Sequence, residues 1–187
     1  MLGTARLLTH TLADARVSVG LSWRNLGHAL NSPTEQRVAD PRQWGVLYLG
    51  AAKIDDNARR LCKDPLIAVD HKGEPLADQT GALAGVKGLV ALDGNWAQAK
   101  ALWWRNAWLT RLRRFVVVPD GPSLYGTLRK EARPDAVSTL EAVALALSVL
   151  ENDPTLREKL LAPFRALIAK ARSEGVRDVK RDRRKRR

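Results

Sequence analysis

Gly88-Leu-Val-Ala-Leu-Asp93-Gly-Asn-Trp96 is the stretch from which the fold of this chain is read. Gly88 to Leu92 is apolar without alternation, the pattern of a strand buried on both faces of a parallel sheet. Asp93 ends the strand. Gly94 permits a tight turn, Asn95 is a good helix N-cap, and Trp96-Ala-Gln-Ala-Lys-Ala-Leu-Trp-Trp104 has the composition of a helix. A carboxylate is thereby set at the carboxyl end of a strand and beside a helix N-terminus, where open α/β sheets build their ligand crevices. A second strand follows at Arg114-Phe-Val-Val-Val-Pro119, then a Gly/Pro/Ser loop that carries Tyr125 and Arg129. Ser138-Thr-Leu-Glu-Ala142 opens an apolar helix that runs to Leu150.

Outward from this centre, Gly45-Val-Leu-Tyr-Leu-Gly50 reads as another buried strand. Gly50 either lets a ligand come close or simply ends that strand. Pro65 to Asp70 reads as a strand, His71 to Pro75 as a turn and 31–44 as a surface loop. Ala5 to His10 is expected as a first strand, and Val17, Leu21, Leu26 and Leu30 as a helical stripe. Pro154 to Ala171 reads as an amphipathic helix that caps the domain, with Leu156, Leu160, Leu161, Phe164, Leu167 and Ile168 on one side. Ser138 or Thr139 can cap the preceding helix, with Glu141 reaching back at one residue less than the ideal capping-box spacing.

Four of the six tryptophans lie at 96, 103, 104 and 108. Trp103 and Trp104 are expected to pack on the sheet, whereas Trp96 walls a pocket or holds the Asp93 corner in shape. Trp104, Arg105 and Trp108 alternatively present an aromatic and basic surface for RNA bases.

The 187 residues suit one domain with a sizeable core, and 45% of them are hydrophobic. The formal net charge is +12 and the pI about 10.5, which points to a polyanionic partner, nucleic acid before an anionic membrane surface. No apolar run approaches the roughly 20 residues of a membrane span, and no signal-like segment opens the chain, so a cytoplasmic location is expected. Cys62 is the only cysteine, which excludes an internal disulfide and a multi-cysteine zinc site and leaves a packing role. Residues 173–187 carry eight Lys/Arg against three Asp/Glu, hence +5 of the total. Such a segment is expected to be a disordered tail that holds RNA backbone.

Taken together, Asp93-Gly94-Asn95-Trp96, the Tyr125 and Arg129 pair, and Ser138-Thr139-Leu140-Glu141-Ala142 resemble the DTW-domain family, whose usual forms are D-x-T-W, Y…R and S-T-L-E-A in that order. The chain departs from the family pattern at Asn95 (usually Thr), at Leu49 (usually Pro) and at Ser18-Val19-Gly20 after His10 (usually N-T-G), and it lacks an N-terminal cysteine cluster. His10 and Ser18 are therefore weaker site candidates.

The resemblance implies a single SPOUT-like α/β domain over 1–172, with a mostly parallel sheet flanked by helices and a knot near the cofactor site left open. It implies transfer of the 3-amino-3-carboxypropyl group of S-adenosyl-L-methionine to N3 of a uridine in structured RNA, tRNA before rRNA, with no metal. Asp93 is then the catalytic candidate. Gly50, Leu92, Trp96, Ser138, Thr139, Leu140 and Glu141 are the cofactor-binding candidates. Arg129, Lys130 and the tail residues Arg181, Arg183, Arg184 and Lys185 are those for RNA. The alternatives are a SPOUT-type RNA methyltransferase and a non-catalytic RNA-binding or ribosome-assembly protein.

Overall fold

Four short strands form one open mixed sheet in the computed structural model, which describes residues 4–31, 40–52, 54–55, 64–126, 128 and 136–175. The strands are β1 (Trp44–Leu47), β2 (Leu66–Val69), β3 (Gly88–Ala91) and β4 (Arg113–Val117). Their order is β2-β4-β1-β3. β1 lies parallel to both neighbours, with Leu47 opposite Ala91 on one side and Phe115 on the other, while β2 runs antiparallel to β4. The carboxyl ends of β1, β3 and β4 therefore point the same way, and the candidate site gathers there.

Helices cover both faces. On one, Leu47, Leu89, Ala91 and Phe115 meet α5 (Thr139–Leu150), and α1 (Ala5–Thr11) and α6 (Pro154–Ser173) pack against α5 in turn. Leu140, Ala144 and Phe164 are fully buried in this layer. On the other face, Val46, Leu109, Leu112 and Leu26 of the short α2 (Leu26–Leu30) form a buried cluster, around which Tyr48, Val90, Leu92 and Trp103 of α4 (Trp96–Arg105) pack. Gln79 opens α3 (Gln79–Leu83) and covers the free edge of β2. Its carboxamide accepts from the Ala68 N–H at 2.8 Å and donates to the Ala68 carbonyl at 2.9 Å, standing in for a neighbouring strand.

Several expectations change. β3 is the edge of the sheet, so all four of its residues are only half-buried where burial on both faces was expected. Residues 5–11 form a helix and not a strand, because Leu8 buries against α5 and α6 and neither sheet edge receives this segment. Within the Val17–Leu30 stripe only Leu26–Leu30 is helical, started by the Asn25 side chain, which accepts from the His28 N–H. Val17 and Leu21 upstream are exposed. The loop predicted over 31–44 contains a 3-10 turn at Pro41–Gln43. The amphipathic helix is confirmed and runs to Ser173, with Leu160, Leu161, Phe164 and Ile168 buried. Burial of that face carries the helix through Pro163, which has no N–H to give its ladder. Cys62, Arg129, Lys130 and the tail residues from 176 onward lie outside the described residues.

Candidate functional site

Asp93 stands two residues past Ala91, the last residue of β3, and is exposed to solvent. Gly94 turns the chain at φ +142°, and a side chain there would sit 2.9 Å from Gln98. Asn95 then caps α4 in a full capping box. Its side chain accepts from the Gln98 N–H at 3.0 Å, and Gln98 accepts from the Asn95 N–H at 2.8 Å. The residue that replaces the usual motif threonine thus performs the N-cap service a threonine would supply.

The second motif meets the first here. The Thr139 hydroxyl donates to Asp93 Oδ1 at 2.7 Å, which ties the end of β3 to the start of α5. Ser138 is the N-cap of α5 and Glu141 stands at its third position, so the capping box has its ideal spacing, one residue better than the sequence reading allowed. The N–H groups of Thr139 and Leu140 are helix-end donors that no carbonyl of their own helix can reach.

Glu141 does more than close the box. Its carboxylate is buried and accepts from the Ser138 N–H at 2.8 Å, the Ser123 hydroxyl at 2.8 Å and the Leu124 N–H at 2.7 Å. It therefore clamps the loop after β4 onto the start of α5. Asp120 of the same loop takes a bidentate pair from Arg157 of α6 at 2.8 and 2.7 Å. Those hydrogen bonds hold the Asp120 carboxyl below its ordinary pKa and raise that of Arg157. Between loop, α5 and α6 a cleft opens, lined by Pro119, Pro122, Leu124, Val137, Glu141, Leu145 and Arg157 among others.

The third corner is at the end of β1. Gly50 has φ +50°, and a Cβ there would lie 2.7 Å from the Tyr48 ring and 2.9 Å from Arg114 Nη2. Its glycine is required by this packing whether or not a ligand approaches. The Tyr48 ring stacks on Trp103 at 4.4 Å, and the Arg114 guanidinium lies 5.4 Å and 5.7 Å from the two ring centres. Arg114 also donates to the carbonyls of Tyr48 (3.0 Å) and Leu49. Burial lowers the Arg114 pKa and raises that of Tyr48.

The expected site residues thus divide. Asp93, Trp96 and Thr139 form the accessible corner, with Trp96 39% exposed. Leu140, Ser138 and Glu141 are buried behind it, and Leu92 packs with Tyr48 and Trp103. Tyr125, half of the Y…R pair, is a core residue with its ring edge-on to Phe164 at 4.9 Å. His10 is exposed at the end of α1, and Ser18 donates to the Ala29 carbonyl. Trp103 packs on the sheet as expected, but Trp104 is 73% exposed. Trp108 turns inward and donates to the Trp23 carbonyl at 3.0 Å. Sequence reasoning missed Ser123, Asp120, Arg114 and the buried Asn106, which bonds Trp23 and Leu21 to the end of α4. Among the described residues no three His, Cys, Asp or Glu side chains converge as metal ligands, and no helix is long and apolar enough to cross a membrane.

The α/β domain thus gathers a strand-end carboxylate, an aromatic helix start and a capped serine-threonine helix start at one end of an open mixed sheet, the end at which open α/β sheets build their ligand crevices. The DTW domain family model matches residues 1–172, and the chain belongs to that family. Over 132 residues it is 33% identical to tRNA-uridine aminocarboxypropyltransferase 2 of Drosophila melanogaster, covering 71% of this chain and 44% of that protein. Over 81 residues it is 35% identical to proteins of the same name from Mus musculus and Macaca fascicularis, covering 43% of this chain and 27% of each. The chain thus spans less than half the length of these curated relatives. No solved structure matches it significantly.

Proposed function

We propose that this chain transfers the 3-amino-3-carboxypropyl group of S-adenosyl-L-methionine to N3 of a uridine in tRNA, on a SPOUT-like catalytic domain spanning 1–172. The observation that carries the reading is the 2.7 Å bond from Thr139 to Asp93, which joins two of the family's motifs into one corner. The donor set suits the ligand. Asp93 can face the ammonium or sulfonium, the helix-end N–H of the partly exposed Thr139 suits a carboxylate, and the open Trp96 face suits a cation.

When bound, S-adenosyl-L-methionine supplies a Cγ activated by the neighbouring sulfonium, which leaves as a neutral thioether. The work left to the protein is positioning and removal of the N3 proton. Asp93 Oδ1 is engaged by Thr139, so Oδ2 is the oxygen free to take that proton as the N–C bond forms and the C–S bond breaks. Trp96 walls the corner, and Glu141 fixes the loop that faces it. Arg129, Lys130 and the basic segment 173–187 supply phosphate contacts, consistent with a net charge of +12. This chemistry calls for no metal, and a cytoplasmic site of action fits a tRNA substrate.

The test is nucleoside analysis of tRNA incubated with the purified chain and S-adenosyl-L-methionine. The expected product is a uridine heavier by one aminocarboxypropyl group. A methylated nucleoside would favour a methyltransferase, and unmodified RNA bound without S-adenosyl-L-methionine would favour a non-catalytic RNA-binding protein.

A further inference from the structure

Trp96, Lys100 and Trp104 follow one another at four-residue spacing along α4, so they form one ridge with neighbouring side chains about 5–6 Å apart. The ridge is open: Trp96 is 39% and Trp104 73% exposed, and Lys100 is exposed without a hydrogen bond or ion pair among the described residues. It begins beside Asp93 and extends for about 12 Å. That is the length of three to four stacked nucleotides at about 3.4 Å each.

Two indole faces with a cation between them, on a helix of sequence WAQAKALWWR that carries no acid, are rare as a solvent-facing surface. An anionic, aromatic strand complements each part, because bases stack on exposed rings regardless of sequence and the ammonium meets the phosphate between them. We propose that this ridge is the docking surface for unpaired RNA nucleotides next to the target base. The inference rests on an RNA substrate but not on the reaction. It replaces the surface of Trp104, Arg105 and Trp108 suggested by sequence, since Trp108 is turned inward and Lys100 supplies the charge between the rings.

Anisotropy of a labelled, unstructured oligouridine of roughly ten nucleotides, within the site size of single-strand binders, tests the surface. W104A should weaken binding by about 5- to 150-fold, the range for loss of one stacked base, without changing the salt slope. W104F should retain most of the affinity, K100A should flatten the salt slope by about 0.7, and affinity for S-adenosyl-L-methionine alone should not move. Equal oligouridine binding by W104A and wild type would overturn the proposal. So would a wild-type dimer that W104A dissociates with no loss of RNA affinity, for the ridge would then be covered by a second copy. A chain that binds oligouridine through Trp104 yet transfers nothing to tRNA would sink the transferase reading and leave the surface standing. Normal transfer with Trp104-independent binding would do the reverse.

Discussion

Thr139 and Asp93 are 46 residues apart in sequence and joined by a hydrogen bond of 2.7 Å, so the carboxylate after β3 is held by the start of α5. This bond assigns separate tasks to the two residues. Asp93→Ala should abolish transfer with little change in unfolding midpoint, because the side chain is exposed. Thr139→Val should reduce transfer about tenfold, close to the ~1.5 kcal/mol lower end for a hydrogen bond to a charged group. Single-turnover rates on tRNA check both, and near-normal transfer by the Asp93 variant would remove that residue from the chemistry.

Glu141 is expected to matter chiefly through the fold. Glu141→Ala strips the acceptor from the Ser123 hydroxyl and from the buried N–H of Ser138, and should cost about 2–4 kcal/mol of stability. Ser123→Ala removes one partner and should cost about 1 kcal/mol. Urea unfolding of the two variants measures this. An alanine variant at 141 as stable as the parent but unable to bind S-adenosyl-L-methionine would make Glu141 a ligand-binding group.

The Asp120–Arg157 pair gives a pH signature. Hydrogen bonds from Arg157 depress the Asp120 carboxyl, so the pair's contribution is complete above the ordinary carboxylate value of about 3.9 and is lost as pH falls through the lower folded value. Asp120 is 66% exposed, so the contribution is no more than about 1 kcal/mol and is screened by salt. The stability difference between wild type and Arg157→Met should therefore be constant near neutral pH and shrink in acid. A difference that grows on acidification contradicts the sign.

The basic segment 173–187 should act through phosphate contacts alone. Deleting Val176 to Arg187 should raise the apparent dissociation constant for tRNA at moderate salt and flatten its salt dependence by roughly 0.7–0.9 per lost contact. Affinity for S-adenosyl-L-methionine and turnover at saturating tRNA should hold. An unchanged salt slope would show that the segment touches no RNA backbone.

The Asp93 corner was legible because its signals are local: an apolar run stopped by Asp-Gly-Asn, then helix formers. The start of α5 was legible for the same reason. What failed depended on distant contacts. The edge position of β3 is set by strand order, which five apolar residues cannot report. Ala5 to His10 suits strand or helix equally, and packing on α5 and α6 decides for helix. Adjacent residues on a helix are about 100° apart, the width of an apolar stripe, so periodicity allows either or both of Trp103 and Trp104 on the sheet, and the stack on Tyr48 selects Trp103. The partners of Glu141 lie 17 and 18 residues upstream in a Gly/Pro/Ser loop, with no periodic signal to link them.

The most direct measurement of the central claim uses two preparations of S-adenosyl-L-methionine, one isotopically labelled in the methyl group and one in the aminocarboxypropyl chain, each incubated with the chain and tRNA. The account predicts that only the chain label enters tRNA, on a uridine blocked at N3, and that Asp93→Ala prevents it. Methyl label in the RNA, or no label from either preparation under conditions where tRNA and S-adenosyl-L-methionine both bind, would contradict it.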